Sequence, residues 1–549
     1  MLQEIYNRCK ASPVIVADTE TTGLQWLYDY VLGIGLCYGP DQGCYIEATE
    51  PGFKDFIVDL LKLPNTFVFH NAKFDLHMLE KYGIPSHVDD TMLMSQLIDE
   101  RGVHNLYDLT AKWLTPQHNY TIDKFKDFKT TNKIKSFGAV PTNLLGEYCV
   151  EQCYNTYALY NLFCDEILKQ NLSEVYFLET EFLKVLLEIE SRGVPIDIEY
   201  LERLGETLEE KAADIQRTFP EGMNINSSKQ VGKYLTEQGI SPVMLTPKGA
   251  PSWCEEAIKQ IDAPQAKKIV EYRHYKHTKS TFVDGYLEKA FNGRVFCKYK
   301  QMVRTGRLAC EDPNLQQVPS GEEIRRAFIG DPFTIFDYDQ VEARIFGHCS
   351  NDLGFIKACE ESDDVYADFA KVVFNVDDPY QLFDAENTYR GIAKLLILGL
   401  LYGMGDKKMR LITGDHGAKA SIIDTVFSGF RAYRDSVIAD AKKYKYVETI
   451  IGRKRRLLFM DLYKAVNAKI QGSAADVMKI AMVGMPSHLR KKMLLTVHDS
   501  LAFTGLTEPE IKEAGEVMCD FNLNVPLRVT LGRGNNWGEA DINAKSKSK

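Results

Sequence analysis

Short apolar runs alternate with amphipathic stretches through the first ~165 residues. Val14-Ile-Val-Ala17 and Thr66-Phe-Val-Phe69 have the length and β-branched or aromatic character of buried strands. Helical spacing separates such runs, so this part predicts an α/β unit. From residue 174 to 217 the chain is rich in Leu and Glu at helical spacing, broken by Gly193-Val-Pro195. That break predicts two helices joined by a turn. Residues 353–450 are again mainly helical in pattern, flanked at a distance by the apolar strands Thr334-Ile-Phe336 and Leu494-Leu-Thr-Val497. Each of these strands runs into an aspartate within two residues. A chain that returns to one sheet after a long helical insertion predicts a helical subdomain growing out of a sheet-based one.

Composition bounds this picture. At roughly 150 residues per domain, 549 residues predict three or four domains. The 45% hydrophobic and 26% charged content is that of a globular protein. No run of about 18 uninterrupted apolar residues predicts a membrane span, and MLQEIYNRCK lacks the basic start and apolar run of a secretion signal. A net charge of -10 speaks against a nucleic-acid partner, but phosphate contacts need only a local basic groove. Two patches offer one. Lys124, Lys126, Lys129, Lys133 and Lys135 interleave with Phe125 and Phe128, and Arg453, Lys454, Arg455 and Arg456 form a run. Each reads equally as a solvated face. Twelve cysteines lack framework spacing; Cys149 and Cys153 are the closest pair, and no second pair completes a zinc site. They are expected to be reduced and largely buried as small hydrophobes. A lysine- and serine-rich tail closes the chain at 544–549.

Three segments carry candidate chemistry. Asp337 and Asp499 each follow a strand. Alone, such an aspartate reads as a helix cap or surface turn, but two from neighbouring strands can share a pair of divalent ions, as nucleotidyl transfer requires. Hard oxygen ligands suit Mg²⁺. Between them, Arg390, Lys394, Leu398 and Tyr402 recur every four residues along one helix face, and Gly403 permits close backbone approach. The two cations can hold a triphosphate, and Lys394 can protonate a leaving group. A basic outer stripe does not explain their place in an apolar stretch, because buried cations need an anionic partner.

From about residue 174 to Trp537 the sequence closely resembles family A DNA polymerases, the bacterial DNA polymerase I group and its phage relatives. Thr305-Gly-Arg307 and Asp312 to Pro319, containing Asn314 and Gln317, resemble primer-template and palm segments. Arg325, Arg326 and Phe328 match the stretch before the first metal strand. Asp337-Tyr-Asp-Gln-Val-Glu342 resembles motif A, Arg390 to Gly403 motif B and His498-Asp499 motif C. Asn467 and Gln471 to Asp476 resemble the helix at the primer-template minor groove. Asn224 to Gln230 and Arg273 to Lys279 resemble thumb segments. The resemblance implies a right-hand polymerase with thumb, palm and fingers, with Asp337, Asp499 and the Tyr338 carbonyl as metal ligands. It implies that Arg390, Lys394, Gln340, Leu398 and Tyr402 meet the incoming nucleotide. Glu342, with Tyr402, would exclude ribonucleotides, which disfavours a ribonucleotide polymerase. Arg307, Asn314, Gln317, Asn467, Gln471 and His498 would contact DNA. The chain departs from the family at Asp339 (usually Ser), Ser500 (usually Glu) and Leu398 (usually Phe or Tyr). The extra carboxylate of Asp339 is expected on the sheet's other face.

Upstream, Asp18-Thr-Glu20, Asn71 to Asp75 and Asp90 resemble the RNase H-like 3′-5′ proofreading exonuclease fold. Asp18, Glu20 and Asp75 match three of its four carboxylates, and Tyr148 matches the residue that orients the attacking water. The fourth acid is replaced by Gln152. Three readings stay open: Glu151 swings in, three carboxylates suffice for slow activity, or the domain is a retained scaffold. The motif begins at residue 18, so no 5′ nuclease is expected, and the compact form is expected to be phage-type.

The expected fold is therefore multidomain α/β and α+β. The exonuclease-like domain spans 1–170, the thumb 171–290, the palm 291–352 and 456–549, and the fingers 353–455. The expected function is template-directed DNA synthesis with 3′-5′ proofreading, using two Mg²⁺ per active site, with Mn²⁺ as substitute. Primer-template DNA and deoxynucleoside triphosphates are the implied partners. A cytoplasmic monomer in a bacterial or phage-infected cell, with accessory replication proteins, is expected. The alternatives are a polymerase with a silent exonuclease domain and a DNA-binding replisome scaffold.

Overall fold

The computed structural model describes residues 1–384, 387–402, 404, 406–413 and 429–541. Gly403 and the tail at 544–549 lie outside the described residues. The N-terminal part builds a five-stranded mixed sheet. Its central strand, Val14–Thr21, runs parallel to Thr66–Phe69 and antiparallel to Val31–Gly39. The edges are Gln42–Glu47 and His87–Asp90. Ile15, Val16 and Ala17 are buried because helices cover both faces, which is why the run reads as continuously apolar. The 28-residue helix Thr142–Lys169 packs on this sheet. Gly35 admits it. A Cβ there would stand 2.6 Å from Cys149 Sγ, and Gly35 is the cross-strand partner of Asp18.

The break expected at Gly193 separates the helices Ser173–Arg192 and Ile198–Gln216. Gly193 has φ 61°, and a Cβ would meet the Phe296 ring at 2.8 Å. Both expected later strands join one antiparallel sheet, ordered Met493–Val497, Ser500–Thr504, Ile329–Tyr338, Val529–Asn536. Asp337 stands opposite Ser500 in one register and Thr530 in the other. Between the first and second of these strands in chain order, Ile329–Tyr338 and Met493–Val497, the described residues are chiefly helical: Leu353–Glu361, Val365–Phe374, Tyr389–Leu401, Asp406–Thr413 and Phe430–Tyr444. The helix Ala465–Gly484 packs on Ser173–Arg192 and Val341–Ser350.

The Arg453–Arg456 run is neither a solvated face nor an open groove. Arg453 is buried against Glu179 and Asp476, the latter at 2.7 Å. Arg455 and Arg456 pair with buried Glu100 of the N-terminal part at 2.8 and 2.7 Å, and Lys454 donates to the Gln170 carbonyl. Lys454, Arg455 and Arg456 thus clamp this segment onto the first 170 residues, while Arg453 ties it to the helices of Glu179 and Asp476. Of the other patch, Lys124, Lys126 and Lys129 lie on the helix Tyr120–Thr131 around buried Phe125, and Lys133 and Lys135 follow its end; Lys126 and Lys129 sit over the Tyr107 and Phe137 rings.

Candidate active sites

The antiparallel sheet places Asp337 and Asp499 side by side. Asp337 ends the strand Ile329–Tyr338, and Asp499 is the second residue of the two-residue turn between Met493–Val497 and Ser500–Thr504. His498 takes φ 53° at the first turn position, a left-handed conformation that costs a non-glycine residue about 1 kcal/mol or more. The Tyr338 N–H donates to the Asp499 carbonyl at 3.1 Å, so the residue after Asp337 is bonded to Asp499 through the backbone. Burial raises the pKa of both carboxyls; Asp339 and Asp541 push Asp337 up further, and Asp337 and Glu342 push Asp499 up against the pull of Arg307. Asp337 is open to the cleft and still feels this desolvation, because protein walls it on the other sides. Paired acids held against their own charge suit a cation.

Both departures near these acids have a place in the structure. Ser500 donates its hydroxyl to Asp337 Oδ2 at 2.8 Å. Asp339 accepts from the Thr530 hydroxyl at 2.6 Å and lines the same cleft as Asp337. The expectation that it points to the other face is overturned, since residues two apart on an extended chain share a face.

The cleft, about 920 Å³, also takes in Arg307, Gln340, Glu342, Arg390, Lys394, Leu398, Tyr402 and His498. Glu342, 8% exposed, accepts from Arg307 Nη2 and from the Tyr402 hydroxyl, both at 2.6 Å. One carboxylate therefore ties the segment around Arg307 to the end of the helix Tyr389–Leu401. Arg390 is half-buried and paired with Asp364, whereas Lys394 is exposed to the cleft. The apolar stretch around them does not bury Lys394, because its helix presents one face to the core and this one to the cleft. Gln340 has its amide committed, donating to Asp364 and accepting from the Val365 N–H, each at 3.1 Å.

The expected DNA contacts divide. Asn467 and Gln471 lie one turn apart on Ala465–Gly484, and the half-buried Asn467 leaves its Oδ1 without a partner. Asn314 caps the short helix Leu315–Gln317. Gln317 is exposed, while Gln316 reaches the small cavity that holds Arg307 and Asp499. Sequence reasoning missed Asp364, whose place before Val365–Phe374 reads as an ordinary N-cap. It also missed Asp541, which lines the cleft and pairs with Arg325 at 3.2 Å.

The second acidic cluster lies where Val14–Thr21 meets Thr142–Lys169. Asp75 accepts from the Thr19 N–H and hydroxyl at 2.8 and 2.7 Å. Burial pushes the Asp18 carboxyl up to about 7 and lifts Glu20 and Asp75 well above the usual range. Gln152 donates its amide to Asp18 at 3.1 Å and reaches Glu20 at 3.5 Å. Cys149 Sγ lies 3.4 Å from Asp18 Oδ2; the set Asp18, Glu20 and Cys149 can hold a metal ion. The closely spaced Cys149 and Cys153 thus hid a thiol at an acidic site. Glu151 lies one residue and about 100° round the helix from Gln152. It faces a separate groove with Tyr45 and Tyr154. Tyr148 stacks on Phe125, with centroids 3.9 Å apart. Asp90 holds no place in the acid cluster; it caps Thr91–Ile98 and accepts from the Asn71 and Ala72 N–H groups.

Comparison with known proteins agrees with this arrangement. The family model for DNA polymerase family A matches residues 198–539, and that for a 3′-5′ exonuclease matches residues 1–168. The chain belongs to DNA polymerase family A. This family A polymerase is 31% identical to DNA polymerase I of Chloroflexus aurantiacus over 98% of its length. It is 30% identical to that of Synechocystis, again over 98%. It spans 62% and 61% of those two relatives. It shares its fold with the POL domain of Pol1 from M. smegmatis, solved in complex with DNA primer-template and dNTP. The TM-score is 0.82 at 24% identity, covering 98% of both chains. Polymerases of this family and exonuclease domains of this kind are generally metal-dependent. Among the described residues of this polymerase, no helix is long and apolar enough to cross a membrane.

Proposed function

We propose that this chain is a DNA-templated DNA polymerase that extends a primer 3′ end from deoxynucleoside triphosphates, in the cytoplasm and as a monomer. The observation that carries the reading is the pair Asp337 and Asp499, set together by the Tyr338–Asp499 backbone bond, in a cleft lined by Arg390 and Lys394. Two Mg²⁺ held by these carboxylates and the Tyr338 carbonyl, or Mn²⁺ in their place, would activate the primer hydroxyl and neutralise the departing pyrophosphate. Arg390, released from Asp364, and Lys394 bind the triphosphate, and Lys394 delivers a proton to the pyrophosphate oxygen. Glu342 and Tyr402, already joined, close the space beneath the sugar and leave no room for a 2′-hydroxyl. Leu398 packs on the nucleotide with less surface than an aromatic ring. Arg307, Asn467, Gln471 and His498 line the duplex path, with Asn314 and Gln317 behind. Thumb 171–290, palm 291–352 and 456–549, and fingers 353–455 are the working units.

The 1–170 domain retains 3′-5′ excision in a weakened form. Asp18, Glu20 and Asp75 suit one cation, and Tyr148 stands where it can orient water. Gln152 places donors on two of those carboxylates where a fourth acid would accept, so the set does not suit a second ion. A labelled primer-template with Mg²⁺, with and without deoxynucleotides, tests both sites. Extension is expected with nucleotides and slow shortening without them. Asp499→Ala should abolish extension and leave DNA binding. Extension that survives the substitution overturns the metal assignment.

A further inference from the structure

The acids that line the larger cleft fall into two groups. Glu342, Asp363, Asp364 and Asp541 are ion-paired, with Arg307, Arg528, Arg390 and Arg325 respectively. Asp337, Asp339 and Asp499 make no ion pair among the described residues. Two of these three are the acids already assigned to the cations. The third, Asp339, is half-buried and accepts one side-chain hydrogen bond, from the Thr530 hydroxyl to Oδ1 at 2.6 Å. Its backbone is fixed on both sides. The N–H donates to the Arg528 carbonyl at 2.9 Å, and the carbonyl accepts from Arg344 Nε at 3.0 Å. Thr530 is the cross-strand partner of Asp337 and lines the cleft. Opposed residues of an antiparallel pair share a face, with Cβ atoms about 5 Å apart. The hydroxyl that holds the Asp339 carboxylate therefore stands beside Asp337. On the other side of Asp337, its partner Ser500 donates to Oδ2 at 2.8 Å.

We propose that Asp339 is a third carboxylate ligand of the polymerase cation site, beside Asp337 and Asp499. Like charges gathered in a half-buried cleft destabilise one another unless a cation sits among them. Of the charges that push the Asp337 carboxyl up, Asp339 acts most strongly. The family usually carries Glu where this chain has Ser500, and Ser where it has Asp339. The third acid has thus moved from the strand after Asp499 to the strand of Asp337. The hydroxyls of Ser500 and Thr530 now orient the two carboxylates of that strand. Three hard oxygen donors of this kind suit Mg²⁺ or Mn²⁺. The proposal rests on the polymerase reading. The competing role for Asp339 is to balance the guanidinium of Arg344, which is fully buried and donates to the carbonyls of Asp339, Cys359 and Pro526. Arg344 meets the backbone oxygen of Asp339, however, whereas Thr530 holds its carboxylate on the cleft side.

The test titrates the full chain with Mn²⁺ alone, without DNA or nucleotide, and reads the free ion by electron paramagnetic resonance. An Asp18→Ala/Glu20→Ala background removes the other acid cluster, so that the larger cleft accounts for the binding. Asp339→Asn keeps an acceptor for the Thr530 hydroxyl and removes only the charge. It should weaken Mn²⁺ binding about ten-fold, the usual weight of one group at a metal site. The Mg²⁺ concentration for half-maximal primer extension should rise by a similar factor. Adding Ser500→Glu returns a carboxylate from the neighbouring strand and should recover most of both losses. Equal Mn²⁺ affinity with and without Asp339→Asn overturns the proposal. So does a weakened affinity that comes with a lower melting temperature and that Ser500→Glu leaves uncorrected, which would assign Asp339 to the support of Arg344. Failure of the wild-type chain to extend a primer with Mg²⁺ would instead overturn the polymerase reading, whatever the Mn²⁺ titration shows.

Discussion

Gln152 decides how the acidic cluster at Asp18 behaves. Its amide donates to Asp18 at 3.1 Å, which partly satisfies a carboxyl that burial pushes up to about 7. A carboxylate in its place would add an acceptor and make a second cation favourable. Gln152→Asp should therefore raise excision of single-stranded DNA about 10–100-fold, the usual weight of a residue that tunes a metal site. Excision measured on an unpaired labelled oligonucleotide checks this; an unchanged rate would mean that another group limits the step. Glu342 is the corresponding residue of the larger cleft. It holds both Arg307 and Tyr402, so Glu342→Ala should do two things: admit ribonucleotides, and free Arg307 and weaken primer binding. Incorporation from matched ribo- and deoxynucleotide pools reads the first effect. Unaltered sugar discrimination would remove Glu342 from the gate.

At the scale of elements, the strands and breaks were legible where one physical cause dominates. Val14–Ala17 and Leu494–Val497 are buried on both faces and read as apolar runs, and the turn at Gly193 needs φ 61°. The acidic residues after strands were legible by resemblance. What the local pattern could not carry was long-range partnership. The run Arg453–Arg456 looks like a surface patch because its partners, Glu100, Glu179 and Asp476, are distant in sequence or read as helix residues. Cys149 looked like a core thiol because nothing local shows Gly35 opposite Asp18. That glycine sets how close Thr142–Lys169 comes to the sheet. Gly35→Ala would put a Cβ 2.6 Å from Cys149 Sγ, so the helix must shift away, at an overpacking cost of about 1–3 kcal/mol. Denaturant melts should show that loss, and adding Cys149→Ala should recover part of it. Additive losses in the double variant would show that the two positions do not compete for space.

At the scale of the whole molecule, buried ion pairs join the two halves. Glu179 on Ser173–Arg192 meets Lys479 of Ala465–Gly484 and Arg453 of the hairpin before it, and Gln301 donates to it at 2.7 Å. Burial alone would raise its carboxyl, but Lys479 and Arg453 outweigh that and hold it down to about 2. A carboxyl depressed in the folded state stabilises the fold above its unfolded value, near 4.5, and that contribution is lost as pH falls towards 2. Glu179→Gln leaves two buried cations short of one counter-charge, which costs about 3–5 kcal/mol at neutral pH. The gap between wild type and variant should therefore be widest above pH 4.5 and narrow as the pH drops below it, because acid protonates Glu179 in the wild type to a neutral group like the amide. Chemical denaturation at stepped pH measures both curves. A gap that stays constant through this window would show that Glu179 contributes by packing and hydrogen bonding, with the charge of Arg453 and Lys479 already balanced by Asp476, and that the clamp between the halves is held elsewhere.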